Sequence, residues 1–405
     1  MASQAFISVK EREEALLCRT YGRYPLALER GKGARLWDID GKAYVDLLAG
    51  IAVAGLGHCH EELCLVAREQ AGRLWHVSNL FYQNNQLDLA ERLLSTSHHA
   101  RAFFCNSGAE ANEAAIKLAR RYMSRVKKRD AAEIITLGDC FHGRTLATLA
   151  ATGRAEMSEG FAPLPEGFSQ VEAGDIQALE KAVGPHTAAV LLEAVQGEGG
   201  VVPLDAGYLH GVEALCRERD ILFICDEVQC GLCRTGKFWA FQHYDLKPDI
   251  ISVAKSLANG LPMGAILATE EVSAGFGPGS HATTFGGGEL TSAVAAKTVE
   301  ILLRDKMAER AAALGRHVKL ALEGLRARHP DAIREVRGLG LMLGIEIAAN
   351  AREIWEDLLE RGFICNLSHE KILRLLPPLV IEQDDLDAFV AALEQSLLNV
   401  SQKFR

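Results

Sequence analysis

The chain reads as an α/β protein built on a mostly parallel sheet sandwiched by helices, with a smaller α+β unit after it. Three observations predict this. Apolar strand-like runs alternate with amphipathic helical segments through the middle of the chain. Those strands are continuously apolar rather than alternating, the pattern of strands covered on both faces. The 405 residues, 48% of them hydrophobic and 37 of them glycine, suffice for one large unit and a smaller companion.

The strands are read at AEIITLG, AAVLLEAV, ILFICDE, DIISVAK and GAILATE, and the intervening helices at ANEAAIKLARRYMSR, DIQALEKAV and YLHGVEALCRERD. Turn signals at Gly31, Gly33 and Asp40-Gly41 predict an early hairpin within residues 1–50, packing on the small unit or the mouth of the site. Residues 51–285 form the large unit. The glycine-rich GPGSHATTFGGG marks its end, and residues 286–405 form the small unit, with strands around VRGLGLMLGIEIA and ICNLSHEKILRLLPPLVI and a helix from about Ala351.

The net charge of −9 disfavours non-specific nucleic-acid binding. No apolar run reaches membrane-spanning length, and the N-terminus lacks the pattern of a secretory signal. Ten cysteines lie mostly in apolar or helical segments, which points to buried free thiols and a cytoplasmic location.

In sheets of this kind ligands bind at the carboxyl ends of strands. Four motifs fall there, and a fifth opens a helix. Ser107, Gly108 and Ala109 precede a strongly helical run, where exposed backbone N–H groups suit a phosphate; an ordinary serine cap is the bland reading. Phe141 in FHGRT can stack on a planar ring, and Arg144 can clamp a carboxylate, although a core Phe and a surface Arg give the same letters. EAVQGEGGV sets Glu198 in a tight glycine loop, an odd place for a charge without a partner. Asp226 ends a buried strand, where a carboxylate needs a cation, and Gln229 shares that end. Lys255 closes the next buried strand, 29 residues on; desolvation there yields a neutral, nucleophilic amine.

The last two residues together carry the chemistry. A lysine that condenses with an aldehyde, and an aspartate that keeps a pyridine nitrogen protonated, are what pyridoxal 5'-phosphate requires. Three decoys are set aside. Gly231–Lys237 has a P-loop frame but Phe238 where Ser or Thr is needed. Cys225, Cys230 and Cys233 have iron–sulfur spacing, but Cys225 sits inside an apolar strand and no fourth cysteine is near. His58-Cys59-His60 and His98-His99 lack a carboxylate frame, so no metal is expected.

From about Tyr21 to LRLLPPLVI the chain resembles the class III aminotransferases of the pyridoxal-phosphate fold type I group. The resemblance is carried in order by HVSNLFYQNNQ, FFCNSGAEANEAAIKLAR, FHGRT, VQGEGGV, ICDEVQCGLCRTG, SVAKSLANGLPMGA and TTFGG. It is strongest to the branch acting on acetylornithine, with other ω-aminotransferases of the class as alternatives; a non-catalytic cofactor-binding protein is the rival of another kind. The resemblance implies that Lys255 carries the cofactor, Asp226 faces its ring nitrogen and Gln229 its phenolic oxygen. Phe141 stacks on the ring, and Ser107, Gly108 and Ala109 bind the phosphate. Thr284 reaches that phosphate from the neighbouring subunit of a homodimer. Tyr21 and Arg144 hold the substrate α-carboxylate. Arg374 takes a carboxylate of glutamate or 2-oxoglutarate, and pairs with Glu198 when the other substrate is bound. Gly288-Glu289 depart from the Asn-Pro usual after this family's TTFGG.

Overall fold

A computed structural model describes residues 3–403. Its centre is a seven-stranded sheet, in the order Arg101–Cys105, Gly264–Ala268, Ile250–Val253, Leu222–Asp226, Thr187–Leu192, Glu133–Leu137, Phe168–Val171. Six strands run the same way; Gly264–Ala268 is antiparallel to both neighbours. That reversal follows from chain length. Only residues 254–263 separate it from the preceding strand, too few for the helical crossover that a parallel return needs.

The strand cores Thr187–Leu192, Leu222–Asp226 and Ile250–Val253 are buried at every position, as their unbroken apolar pattern requires. The long helix Gly108–Arg125 packs on the sheet through Ala111, Ala114, Ala115, Leu118, Ala119 and Tyr122. Alanine at four of those places lets the helix axis approach the sheet closely. Ser107 caps it, its hydroxyl accepting from Glu110 N at 3.1 Å.

A four-stranded antiparallel sheet follows late in the chain, ordered Ile333–Leu339, Met342–Ile347, Ile372–Leu375, Asn366–Ser368. The early segment forms more than the expected hairpin. Leu28–Lys32, Arg35–Asp38 and Ala43–Asp46 make a three-stranded meander, and Phe363–Ile364 joins it in parallel. Backbone pairing thus ties the N-terminal segment to the C-terminal part of the chain. Helix Glu289–Arg304, just beyond the glycine-rich stretch, packs on helices Glu61–Ala71 and Asn84–Leu94. Among the described residues no helix is long and apolar enough to cross a membrane.

Candidate active site

The six co-directional strands deliver their carboxyl ends to one edge of the sheet. There they surround a cavity of about 410 Å³, lined by Ser107, Gly108, Ala109, Phe141, Arg144, Glu193, Asp226, Gln229 and Lys255 among others. The strands thus bring together most of the motifs that sequence spacing left far apart.

Lys255 is half-buried at the start of a short 3-10 turn, with φ +42°, a left-handed conformation that a side-chain-bearing residue holds only when its surroundings enforce it. Loss of hydration lowers its pKa from the ordinary 10.5, and the positive charge of Arg374 adds to this; the carboxylates of Glu198, Asp226 and Glu193 oppose it. The site therefore biases the amine toward its neutral form.

Asp226 is buried and accepts three hydrogen bonds: from Val228 N at 2.9 Å, Asn112 Nδ2 at 2.7 Å and His142 Nδ1 at 2.8 Å. Burial opposes a charge on His142, but the Cys140 sulfur and the Asp226 carboxylate outweigh it and raise the imidazole pKa well above its usual value. Asn112 also donates to His142 O at 2.8 Å, so one amide fixes both the carboxylate and its histidine. Nothing local in the sequence marks Asn112 or His142, although they stand within NSGAEANE and FHGRT; Asn112 lies one helical turn beyond Gly108.

Glu193 is a second buried carboxylate in the cavity wall. It accepts from Phe141 N at 3.1 Å and Gly197 N at 3.2 Å, bridging the aromatic's loop to the glycine loop. Burial, with the Asp226 charge, lifts its pKa to about 7. Phe141 is half-buried in the wall, and the Arg144 guanidinium lies over its ring at 5.7 Å. A side chain at position 108 would strike Val228 at 2.7 Å, so the entry to the helix must be glycine.

Beside Lys255, buried Arg374 donates to Glu198 Oε1 at 2.5 Å, to Gly197 O at 3.1 Å and, through Nε, to Asn366 Oδ1 at 3.1 Å. Burial works against the Glu198 charge, but Arg374 holds its pKa below the usual value. Tyr21 is not brought in: it is 74% exposed, with Arg23 against its ring. Tyr24 instead reaches the network, its hydroxyl accepting from Asn366 Nδ2 at 2.9 Å. Thr284 is also outside the Lys255 cavity, exposed beside Leu80 and Asn79.

These residues fit pyridoxal phosphate. A helix N-terminus with a glycine at its entry opens on the cavity and suits an anion, an aromatic ring flanks the cavity, and a buried, rigidly held carboxylate shares it with an amine of lowered pKa. Buried Gln229 Oε1 also has no protein partner. Fold and site together define a pyridoxal-phosphate-dependent aminotransferase. The sequence matches the family described as aminotransferase class-III over residues 17–397, and the chain belongs to it.

Among similar proteins is the acetylornithine aminotransferase of Methanocaldococcus jannaschii, 46% identical over 93% of this chain and 94% of that one. The Myxococcus xanthus protein of the same name is 45% identical over 92% and 93%. Of solved structures, the ornithine aminotransferase of Toxoplasma gondii superposes with a TM-score of 0.95 at 32% identity, covering 99% of this chain and 97% of that one. The acetylornithine aminotransferase of Elizabethkingia anophelis gives 0.88 at 33%, covering 97% and 99%.

Proposed function

We propose that this enzyme transfers the terminal amino group of N2-acetylornithine to 2-oxoglutarate, giving N-acetylglutamate 5-semialdehyde and glutamate, a step of arginine biosynthesis. The relatives at 45 and 46% identity support the donor. The observation that carries the two-substrate reading is the Glu198–Arg374 pair beside the Lys255 amine. One site must accept a donor whose reacting end carries no carboxylate and an acceptor with carboxylates at both ends. A buried arginine masked by a glutamate serves both: masked for the first, released to the second carboxylate of the other. Leaving it unmasked and unpaired would be costly.

Pyridoxal phosphate, when bound, supplies the electron sink that stabilises the substrate carbanion. The chain's own residues do the rest. Lys255, whose amine burial biases toward the neutral form, would accept the proton from the substrate carbon and return it. Asp226, fixed by its three donors, would keep positive charge on the ring nitrogen when the cofactor is bound. When the cofactor is bound, Phe141 would pack on the ring face, Gln229 would face the phenolic oxygen, and Ser107, Gly108 and Ala109 would hold the phosphate. Arg144 binds the α-carboxylate of acetylornithine; Tyr21 joins it if the irregular segment 17–23 closes over the cavity.

A homodimer is part of this reading. Leu80 and Phe285, 86 and 68% exposed, flank Thr284, and Trp75, Phe81 and Tyr82, close to Leu80 in the chain, expose 64, 65 and 102%; these apolar groups suit a second copy. Thr284 then completes the partner's phosphate site. Seven buried free thiols and the absence of disulfides among the ten cysteines favour the reducing cytoplasm. We place the division between units at 51–285 and 286–405; helix Glu289–Arg304, inside the second range, packs on helices Glu61–Ala71 and Asn84–Leu94 of the first.

Competition among acetylornithine, ornithine and succinyldiaminopimelate as donors to 2-oxoglutarate tests the substrate. Preference for acetylornithine is expected; preference for ornithine would favour the activity that the Toxoplasma neighbour's name states. Glu198→Ala should shift preference from the ω-amine toward glutamate. Unchanged rates in both half-reactions would refute the gate.

A further inference from the structure

The gate loop is unusual in its composition. Three of its four residues, Gly197, Gly199 and Gly200, are glycine. Two of them are demanded by the backbone: a Cβ at 199 would lie 2.9 Å from Asp139 O, and Gly200 has φ +98°, while a Cβ at 197 would displace the Gln229 side chain. Such a backbone has little stiffness of its own. Yet Glu198 must start from a defined place to mask Arg374.

External donors supply the stiffness, and they come from the late antiparallel sheet and its hairpin turn. Arg374 Nη1 donates to Gly197 O at 3.1 Å, His369 Nε2 to Glu198 O at 2.6 Å, and Arg337 Nε to Gly200 O at 2.9 Å. His369 is the donor that meets the gate residue's own peptide. It stands in the tight turn joining Asn366–Ser368 to Ile372–Leu375, closed by Lys371 N on Ser368 O at 3.2 Å. Both central residues are left-handed, His369 at φ +50° and Glu370 at φ +57°, where Asn-Gly is the least costly pair. Each spends its side chain on a contact: Glu370 on Arg352 at 2.7 Å, His369 on the gate. Strained positions persist where surrounding structure enforces them, and here the conformation aims an imidazole at Glu198 O.

We propose that His369 is a positioning residue for the Glu198–Arg374 gate, holding the Glu198 backbone so that only the side chain swings when a dicarboxylate competes for Arg374. This rests on the gate reading above. The bond needs a proton on Nε2, which both the neutral Nε2–H tautomer and the imidazolium provide.

The test uses the cofactor-loaded enzyme, three single variants and one double variant. His369→Gly suits the left-handed turn, so a merely structural role predicts no loss. The expected result is a shift of about fivefold in the kcat/KM ratio of the half-reactions, from ω-amine toward glutamate, carried by KM with kcat unchanged. Calorimetric affinity for glutarate, a dicarboxylate that cannot react, should rise by a similar factor. His369→Gln, whose amide nitrogen reaches about as far, should restore both. In a Glu198→Ala background the His369→Gly shift should vanish. If Glu198→Ala shifts the ratio and His369→Gly does not, the role of His369 is refuted and the gate stands. If the His369→Gly shift survives in the Glu198→Ala background, His369 acts by another route and the proposal fails. If Glu198→Ala itself changes nothing, the gate reading and this inference fall together.

Discussion

Glu227 follows Asp226 in the chain but serves a different end, and its stability should depend on pH in a direction opposite to that of most carboxylates. Its carboxylate is buried and accepts from Ala240 N at 2.8 Å, Phe241 N at 2.9 Å and the Cys230 thiol at 3.6 Å. Burial outweighs these donors and lifts its pKa from 4.5 to about 7. The folded state therefore binds more protons than the unfolded one between those values, so the stability contribution is full below about 4.5 and is lost as pH rises through about 7. At 1.36 kcal/mol per pH decade that window corresponds to roughly 3–3.5 kcal/mol. Glu227→Gln keeps the volume but turns one acceptor into a donor facing a backbone N–H, costing about 1–3 kcal/mol. The variant cannot ionise, so its deficit should be largest near pH 5 and should shrink or reverse by pH 8. Glu193, whose pKa is also lifted to about 7, is present in both proteins and cancels in the comparison. Urea midpoints of the two proteins at pH 5 and pH 8 measure this. A gap that stays constant across that range would refute a raised Glu227 pKa.

Two further outcomes follow from the site and the surface. Asn112→Ala removes a 2.7 Å bond to the buried Asp226 charge and leaves His142 O without its donor, and should lower unfolding stability by about 1.5–3 kcal/mol while weakening pyridoxal phosphate retention; a denaturation midpoint and cofactor affinity equal to wild type would remove Asn112 from the account. Leu80→Asp places a charge in the exposed apolar face beside Thr284 and should convert a dimer to monomer by light scattering, whereas a wild-type protein that is itself monomeric would contradict the assembly.

The sequence made the catalytic edge legible because its signals are local. Lys255, Asp226 and Phe141 each end or follow an apolar strand, and Ser107 opens a helix, so parallel packing was enough to gather them. What stayed hidden depends on partners far away in the chain. Glu193 and Glu198 are equivalent letters in EAVQGEGGV; only folding turns one onto the N–H groups of Phe141 and Gly197 and the other onto Arg374. His142 differs from a surface histidine only through Asp226, 84 positions on. Tyr21 and Tyr24 are both plausible in an irregular segment, and only the position of Asn366 selects Tyr24 for the Arg374 network.

The segment that enters the cavity at Val53 shows the same point energetically. Ala49, Gly50, Ile51 and Ala52 have φ of +50, +63, +63 and +63°, a single left-handed turn. At about 1–2 kcal/mol for each side-chain-bearing residue this costs roughly 3–6 kcal/mol, which nothing in LLAGIAVAG announces. The offset lies in side chains that bond the surrounding backbone. Asp46 accepts from Leu48 N and Ala49 N, Ser256 donates to Ala52 O at 2.7 Å, and Asn259 accepts from Leu56 N and donates to Gly57 O. At about 1 kcal/mol net apiece, five such bonds match the cost. Two of the three residues supplying them, Ser256 and Asn259, belong to the segment that holds Lys255 at its own positive φ. The turn and the lysine therefore brace each other, and each strained conformation is kept by bonds that the other positions.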